Sequence, residues 1–172
     1  MEAAENRSTE NQIKSSSGRE GKYLTFSLSG EEYGIGIRKV REIIGMMTVT
    51  HVPQTPYYIK GVINLRGKVI PIIDLRLKFA MEAMDYTERT CIIVVEITEG
   101  GKMIAMGLVV DSVSEVVNIR EGDVDDTPAF GNAIDTDYIL GMAKVGGNVK
   151  ILLDIDRVFA TEEIADMNKA IS

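Results

Sequence analysis

The sequence is poor in the residues on which most enzymatic and metal sites depend. Its 172 residues include one cysteine, one histidine and no tryptophan. A single cysteine excludes an internal disulfide and fits a reducing compartment. Cys91 lies in the β-branched run Thr90 to Val95, where a lone cysteine is typically a small core residue. His51 precedes Val52-Pro53 and has no evident catalytic partner, so we interpret it as a loop residue.

Several classes of protein are excluded by what is missing. No apolar run reaches the length of about 18 residues that a transmembrane helix needs, and Met1 to Gly21 has no apolar core of a secretory signal. The formal charge of −7 is a poor match to nucleic acid or anionic lipid. We therefore expect a cytoplasmic, protein-binding chain with no nucleic-acid partner and no direct membrane insertion.

Two stretches resemble ligand loops but fail on spacing. Gly34-Ile35-Gly36 has no third glycine, lysine or serine where a nucleotide loop requires them. The acidic segment Glu121 to Asp126 resembles a calcium loop, but its glycine precedes the aspartates and the closing glutamate is absent. We expect a solvated acidic loop there, and neither a cofactor, a metal nor a catalytic site in the chain.

The chain repeats itself. Residues Tyr58 to Leu75 align without a gap with Tyr138 to Ile155 at an offset of 80, and six of the 18 positions are identical. An earlier block, Tyr33 to Ile44, matches Met106 to Val117 at an offset of 73. The shared residues are Tyr58/Tyr138, Ile59/Ile139, Gly61/Gly141, Gly67/Gly147, Val69/Val149 and Asp74/Asp154, and upstream Gly34/Gly107, Val40/Val113 and Glu42/Glu115. Two similar blocks in the same order predict a duplicated unit, about 22–86 and 88–160.

Each unit is predicted to be β. The longer block is typical of a hairpin that turns at Arg66-Gly67 in one copy and at Gly146-Gly147 in the other. Asp74 and Asp154 are predicted to cap short helices. The seven extra residues of the second copy are expected between residues 121 and 137. Short strands, glycine turns and little helix predict a mainly β fold of two small barrels packed as one body, which can share strands.

The two ends differ in composition from the rest of the chain. The polar segment 1–21 is expected to be a disordered tail. The segment 161–172 carries Ile164, Met167 and Ile171 at helical spacing, which favours a short amphipathic helix.

The motifs GVINLRGKVIPIIDLR, EEYGIGIRKVREI and GLVVDSVSEVV make the chain resemble the CheW family of bacterial chemotaxis proteins. The resemblance covers about Lys22 to Phe159 and implies two five-stranded SH3-like barrels without enzymatic activity. It also implies an adaptor that couples chemoreceptors to the histidine kinase CheA, is recruited to membrane-bound receptor arrays, and binds the receptor's cytoplasmic hairpin tip and the kinase's regulatory domain. Alternatives are a paralogue serving a pathway other than motility, or a small ligand-binding two-barrel protein.

The resemblance also implies which residues bind. The positions that match the family's apolar receptor groove between the barrels are Leu24, Ile37, Val40, Ile43 and Val113. The positions that match its kinase- and receptor-binding surface are Glu42, Gly61, Asn64, Arg66 and Gly67. Ordinary core residues are the alternative for the first set, and we expect partial exposure of at least three of them.

Charge suggests a further surface. Six acidic residues and no basic one lie between 121 and 137, whereas five basic residues and one acidic residue lie between 60 and 78. Opposite patches on related barrels would suit packing against a homologous kinase domain, and Phe130 in the acidic loop could anchor that contact. The alternative is that both stretches are merely solvated surface.

Overall fold

A computed structural model describes residues 18–128, 137–159 and 163–164. Within these ranges the chain forms eleven strands, two short α-helices and two 3-10 turns. The strands of the first repeat are β1 (Gly21–Leu28), β2 (Glu31–Gly36), β3 (Val40–Gly45), β4 (Ile59–Leu65) and β5 (Lys68–Asp74). Those of the second are β6 (Cys91–Glu99), β7 (Lys102–Val110), β8 (Ser112–Ile119), β9 (Val124–Asp125), β10 (Ile139–Val145) and β11 (Asn148–Leu153). The helices are α1 (Leu75–Lys78) and α2 (Ile155–Val158), and the 3-10 turns are Ile37–Lys39 and Glu121–Asp123.

The strands form two sheets, which confirms the mainly β prediction. One sheet has the order β3-β6-β7-β5-β4 and the other β8-β1-β2-β11-β10-β9. Thr50, which follows β3, bridges to Val62 on β4, so the chain itself connects the two edges of the first sheet. In the second sheet β9 follows β8 and pairs with β10 in the same way. Each sheet therefore closes upon itself and leaves no long open edge.

The sheets do not follow the boundary between the repeats. Strand β3 of the first repeat pairs with β6 of the second, and β1 pairs with β8. Strands β5 and β7 run parallel, as do β2 and β11. Each sheet thus takes strands from both halves of the chain, so the segments 22–86 and 88–160 are sequence repeats rather than separate sheets.

The duplicated hairpin is confirmed in register and in detail. The β4–β5 pairing shifts between Ile59 and Gly61, and the β10–β11 pairing shifts at the equivalent Ile139 and Gly141. The amide of Asp74 donates to the carbonyl of Tyr58 at 2.8 Å, and Asp154 donates to Tyr138 at the same distance. A one-residue slip would turn the apolar face of a strand to water. Burial of that face therefore fixes the same strand register in both hairpins.

The helix caps are confirmed as well. Asp74 accepts a hydrogen bond from the amide of Leu77, and Asp154 accepts one from the amide of Asp156. The helices that follow have four residues each. They fall far short of the about 20 residues needed to cross a bilayer, and no helix in the described ranges meets that requirement.

The location of the extra residues also follows from the pairing. Thr50 pairs with Val62, and Asp125 pairs with Met142, the equivalent of Val62. The offset there is 75, two more than at β3 and five fewer than at β4. Two extra residues therefore precede β9, at the Glu121–Asp123 turn, and five follow it. Residues 129–136 lie outside the described ranges.

The core has three parts. Ile63, Ile70, Ile72, Ile92, Val94 and Val109 fill the first barrel, and Tyr23, Ile119, Val124, Ala143 and Leu152 fill the second. A larger cluster, here called the shared cluster, lies between the sheets and contains residues from both, among them Phe26, Ile73, Val95 and Leu153. Both faces of the central strands are therefore buried, which explains why they appear as continuous apolar runs.

The N-terminal boundary differs from the prediction. Gly21 already belongs to β1, and Arg19 is fixed by ion pairs to Glu121 and Asp126. The segment 18–21 thus belongs to the folded part of the chain, and the ion pairs of Arg19 neutralise two carboxylates of the acidic segment. Residues 1–17, 161–162 and 165–172 lie outside the described residues, and with them most of the predicted tails.

Candidate partner-binding surfaces

The β4–β5 turn holds Arg66 in an unusual backbone conformation. Arg66 and Gly67 have φ angles of 52° and 87°, nearly the same as the 57° and 82° of Gly146 and Gly147. These are type I′ turns, which require positive φ at both central positions. The side-chain oxygen of Asn64 accepts a hydrogen bond from the amide of Gly67 at 2.7 Å and so braces the turn. An arginine stands where the second copy uses the glycine that the turn favours.

Glu42 and Arg66 come together although they are far apart in the sequence. The guanidinium donates to both carboxylate oxygens of Glu42, one of them at 3.2 Å. Hydrogen bonding to Glu42, followed by its charge, raises the pKa of Arg66. The arginine side chain is nevertheless 71% exposed. The pair is confined to the first barrel, because the equivalent of Arg66 in the second is Gly146.

Gly61 differs in kind from its neighbours on the predicted surface. It is buried at φ +143°, and a Cβ atom there would lie 2.0 Å from the carbonyl oxygen of Thr50. The next residue, Val62, exchanges two backbone hydrogen bonds with Thr50, at 2.8 and 2.9 Å. Gly61 therefore serves barrel closure, whereas Arg66 and Asn64 are exposed.

The predicted groove residues divide between the surface and the core. Ile43 is 44% exposed, and Ile37, Val40 and Val113 are partly buried against the shared cluster. The expectation that at least three would be partly exposed is thus met. Leu24 is 2% exposed. It is a core residue and not part of the surface, because its side chain points into the shared cluster.

Sequence reasoning named Ile43 but missed three other exposed apolar residues of the repeats, Val116, Val69 and Val149. Ile43 and its counterpart Val116 are 44% and 51% exposed, and Val69 and Val149 are 46% and 52% exposed. Val69 and Val149 are identical in the repeat, and neither was assigned to a surface. Val69 precedes the buried Ile70 in Lys68-Val69-Ile70, and this alternation could have placed Val69, and through the repeat Val149, on the outer face.

The charged stretches are more neutralised than their sequences suggest. In the acidic stretch, Glu121 and Asp126 bind Arg19, and Asp125 lies 3.3 Å from Lys144. In the basic stretch, the pairs are Arg66–Glu42, Arg76–Asp111 and Lys78–Glu163. Phe130 lies outside the described residues. Among those described, no three histidine, cysteine, aspartate or glutamate side chains converge as a metal site would require.

Comparisons with known proteins agree with this fold. The family model of the CheW-like domain matches residues 22–163 of the sequence. The chain is 42% identical to the chemotaxis protein CheW of Klebsiella aerogenes over 83% of this chain and 84% of that protein. It is 34% identical to the chemotaxis protein CheW of Rhizobium meliloti, over 81% and 88%. The crystal structure of the scaffolding protein TtCheW from Thermoanaerobacter tengcongensis superposes with a TM-score of 0.73 at 36% identity, covering 84% of this chain and 95% of that one.

Proposed function

Because the chain belongs to the CheW-like domain family and is a chemotaxis adaptor of that family, we propose that it couples chemoreceptors to the histidine kinase CheA. One surface binds the cytoplasmic hairpin tip of the receptor, and another binds the regulatory domain of the kinase. The adaptor performs no chemistry of its own. It works in the cytoplasm and reaches the membrane-bound receptor array only through its partners.

The observation that carries the proposal is the Glu42–Arg66 pair on its strained turn. A glycine would relieve the backbone at position 66, as it does at Gly146. The first copy instead keeps a long, exposed, charged side chain there. A non-glycine residue held at positive φ is typical of functional positions. Glu42 engages two of the five N–H donors of the guanidinium, and the other three are available to acceptors of a partner.

The receptor surface is an aliphatic edge of the shared cluster. Ile37, Val40 and Val113 are partly buried there, and Ile43 stands out into solvent. Val40 and Val113 occupy equivalent places on β3 and β8. An amphipathic helix lays its apolar stripe into such a groove, and the receptor's hairpin tip offers helices of this kind.

Co-sedimentation with receptor cytoplasmic fragments and CheA tests the proposal. Wild-type protein should bring the kinase into the receptor pellet. Arg66→Ala should reduce recruitment several-fold with little change in melting temperature, because an exposed loop side chain contributes about 0.5 kcal/mol or less to stability. Arg120→Ala, which removes another exposed arginine, is the matched control and should recruit normally.

The receptor surface needs its own variants. Val40→Lys and Val113→Lys each place a charge where the apolar stripe docks, so receptor binding should fall while the protein stays folded. Two results contradict the proposal: normal recruitment by all three variants, or insoluble valine variants, since these would show that the valines belong to the core.

A further inference from the structure

The contacts between the two repeats, here called the seam, come in equivalent pairs. Strand β3 pairs with β6 as β8 pairs with β1, and β5 runs parallel to β7 as β11 does to β2. The aromatic contacts follow the same rule. Tyr138 stacks on Phe79 with ring centres 5.3 Å apart, and the equivalent Tyr58 lies 6.4 Å from the equivalent Phe159. The backbone and aromatic parts of the seam would therefore also fit between two copies of one repeat.

Two charged contacts of the seam are equivalent in place but opposite in sign. In one, Arg76 of α1 donates to both carboxylate oxygens of Asp111, at 2.6 and 2.7 Å. In the other, Asp156 of α2 lies 2.6 Å from Nζ of Lys39. Asp156 is the counterpart of Arg76 at the offset of 80. Asp111 is the counterpart, at the offset of 73, of Arg38, which precedes Lys39. The charge on the helix and the charge at the strand end are thus both inverted.

The same hairpin amide completes each contact. The amide of Ser29 donates to Asp111 Oδ2 at 2.8 Å, and the amide of Thr98 donates to Asp156 Oδ1 at 2.9 Å. The pairing of β1 with β2 and of β6 with β7 makes Thr98 the counterpart of Ser29, at an offset of 69. The carboxylate stands at the strand end in one contact and on the helix in the other, and the hairpin reaches it in both. The local structure therefore accepts either polarity.

Each repeat carries one sign of charge at these positions. The first repeat is basic and the second is acidic or uncharged: Arg38, Lys39 and Arg76 against Asp111, Ser112 and Asp156. Among the described residues, five ion pairs join the repeats, counting Glu163 just after the second, and four of them have this polarity. The exception, Lys150 with Glu32, is the longest at 3.6 Å. The side chains of the two equivalent pairs are 13–35% exposed, so their charges are partly shielded from water.

We infer that this division of charge makes each repeat pair only with the other kind, so that two copies of this chain do not join through equal repeats. The strand pairings and aromatic contacts cannot discriminate in this way, because their partners are equivalent in both repeats. Two first repeats would bring Arg76 against Arg38, and two second repeats would bring Asp156 against Asp111. Such contacts between like charges suppress a wrong partner, and proteins use them against alternative pairings of one sequence pattern.

The test reverses one contact without breaking it. The double variant Arg76→Asp/Asp111→Arg keeps an ion pair at that place but gives each repeat both signs, so that equal repeats can attract each other. After unfolding in urea and refolding at high chain concentration, it should form dimers or larger species on size-exclusion chromatography, in a fraction that grows with concentration. The wild type should return to its starting elution volume. Exchange of unlike repeats between copies is equally favourable in both proteins, so the excess measures pairing of equal repeats.

Two sets of controls separate repulsion from damage. Arg76→Asp and Asp111→Arg alone each bring like charges together, so each should lower the melting temperature by about 5–10 °C, and the double variant should recover most of that loss. A six-residue variant exchanges each position with its counterpart and restores one sign to each repeat. It should refold as the wild type does, and its substitutions are Arg38→Asp, Lys39→Ser, Arg76→Asp, Asp111→Arg, Ser112→Lys and Asp156→Arg.

Three results would overturn the inference. If the double variant refolds to the wild-type elution volume at every concentration, the charges do not exclude equal repeats. If it melts no higher than the single variants, the charges do not meet across the seam. If the six-residue variant associates as much as the double variant, association comes from the altered side chains and not from lost repulsion. The inference goes beyond the proposed coupling function and does not depend on it, since its residues belong neither to the charged pair of the β4–β5 turn nor to the tested valines.

Discussion

Replacing Gly61 by alanine tests whether this glycine acts through the fold or through a partner surface. The new Cβ would lie 2.0 Å from the Thr50 carbonyl oxygen and 2.9 Å from Val49 Cγ1, so the Thr50 segment must move away. That movement breaks the two hydrogen bonds between Thr50 and Val62, at a cost of about 1–3 kcal/mol. The backbone at φ +143° adds roughly 1–3 kcal/mol for a residue other than glycine.

The sum is about 2–6 kcal/mol. This is a large part of the free energy of unfolding of a whole domain, which is typically about 5–15 kcal/mol. A chain of this size loses about 2–4 °C in melting temperature for each kcal/mol. Thermal unfolding followed by circular dichroism should therefore show a fall of roughly 5–20 °C for Gly61→Ala.

Gly36→Ala is the matched control for this prediction. Its Cβ would meet nothing within 4 Å, and its φ is −57°, so the melting temperature should stay near that of the wild type. The reasoning is refuted if Gly61→Ala has the same melting temperature as Gly36→Ala and yet loses receptor or kinase binding. That outcome would mean that the glycine itself touches a partner.

Two further predictions concern charged residues. Arg66→Gly should melt above the wild type, because glycine relieves the positive φ of 52°, whereas Arg66→Ala should melt close to the wild type. Both variants should recruit less kinase, and equal melting of the two would argue against strain at the turn. For Asp111, burial opposes ionisation, but hydrogen bonds from Arg76 and the Ser29 amide lower its pKa below the ordinary 3.8. A lowered folded-state pKa adds stability above the unfolded-state value and loses it as the pH falls through the folded-state value. The difference in unfolding free energy between the wild type and Asp111→Asn should thus be constant at neutral pH and shrink below about pH 4. A difference that stays unchanged at lower pH would mean that the Arg76 contact does not depend on the charge of Asp111.

Local features were predictable because their causes are local. The turns at Arg66-Gly67 and Gly146-Gly147 follow from two-residue hairpin geometry, and the caps at Asp74 and Asp154 follow from side-chain chemistry. The repeat offsets even located the extra residues of the second copy, since every paired strand must keep its apolar face inward.

Exposure was harder to predict because it depends on which sheet a residue faces. Leu24 and Ile43 are both aliphatic residues on strands, yet one is 2% and the other 44% exposed. Leu24 faces the shared cluster, which exists only after the sheets have packed. The acidic segment 121–126 was expected to be solvated, and its neutralisation was missed for a similar reason. Arg19, about a hundred positions away in the sequence, folds back onto Glu121 and Asp126.

The exchange of strands between repeats bears directly on how an adaptor works. Because β3 pairs with β6 and β1 pairs with β8, neither repeat can complete a sheet alone. Separating them would expose the edges of both sheets and the shared cluster. The Glu42–Arg66 pair on the first sheet and the aliphatic residues Val40 and Val113 on the two sheets are therefore held at one fixed spacing. An adaptor that must keep two partners in a defined geometry gains this rigidity from the exchange, whereas two independent barrels joined by a linker would leave the geometry free.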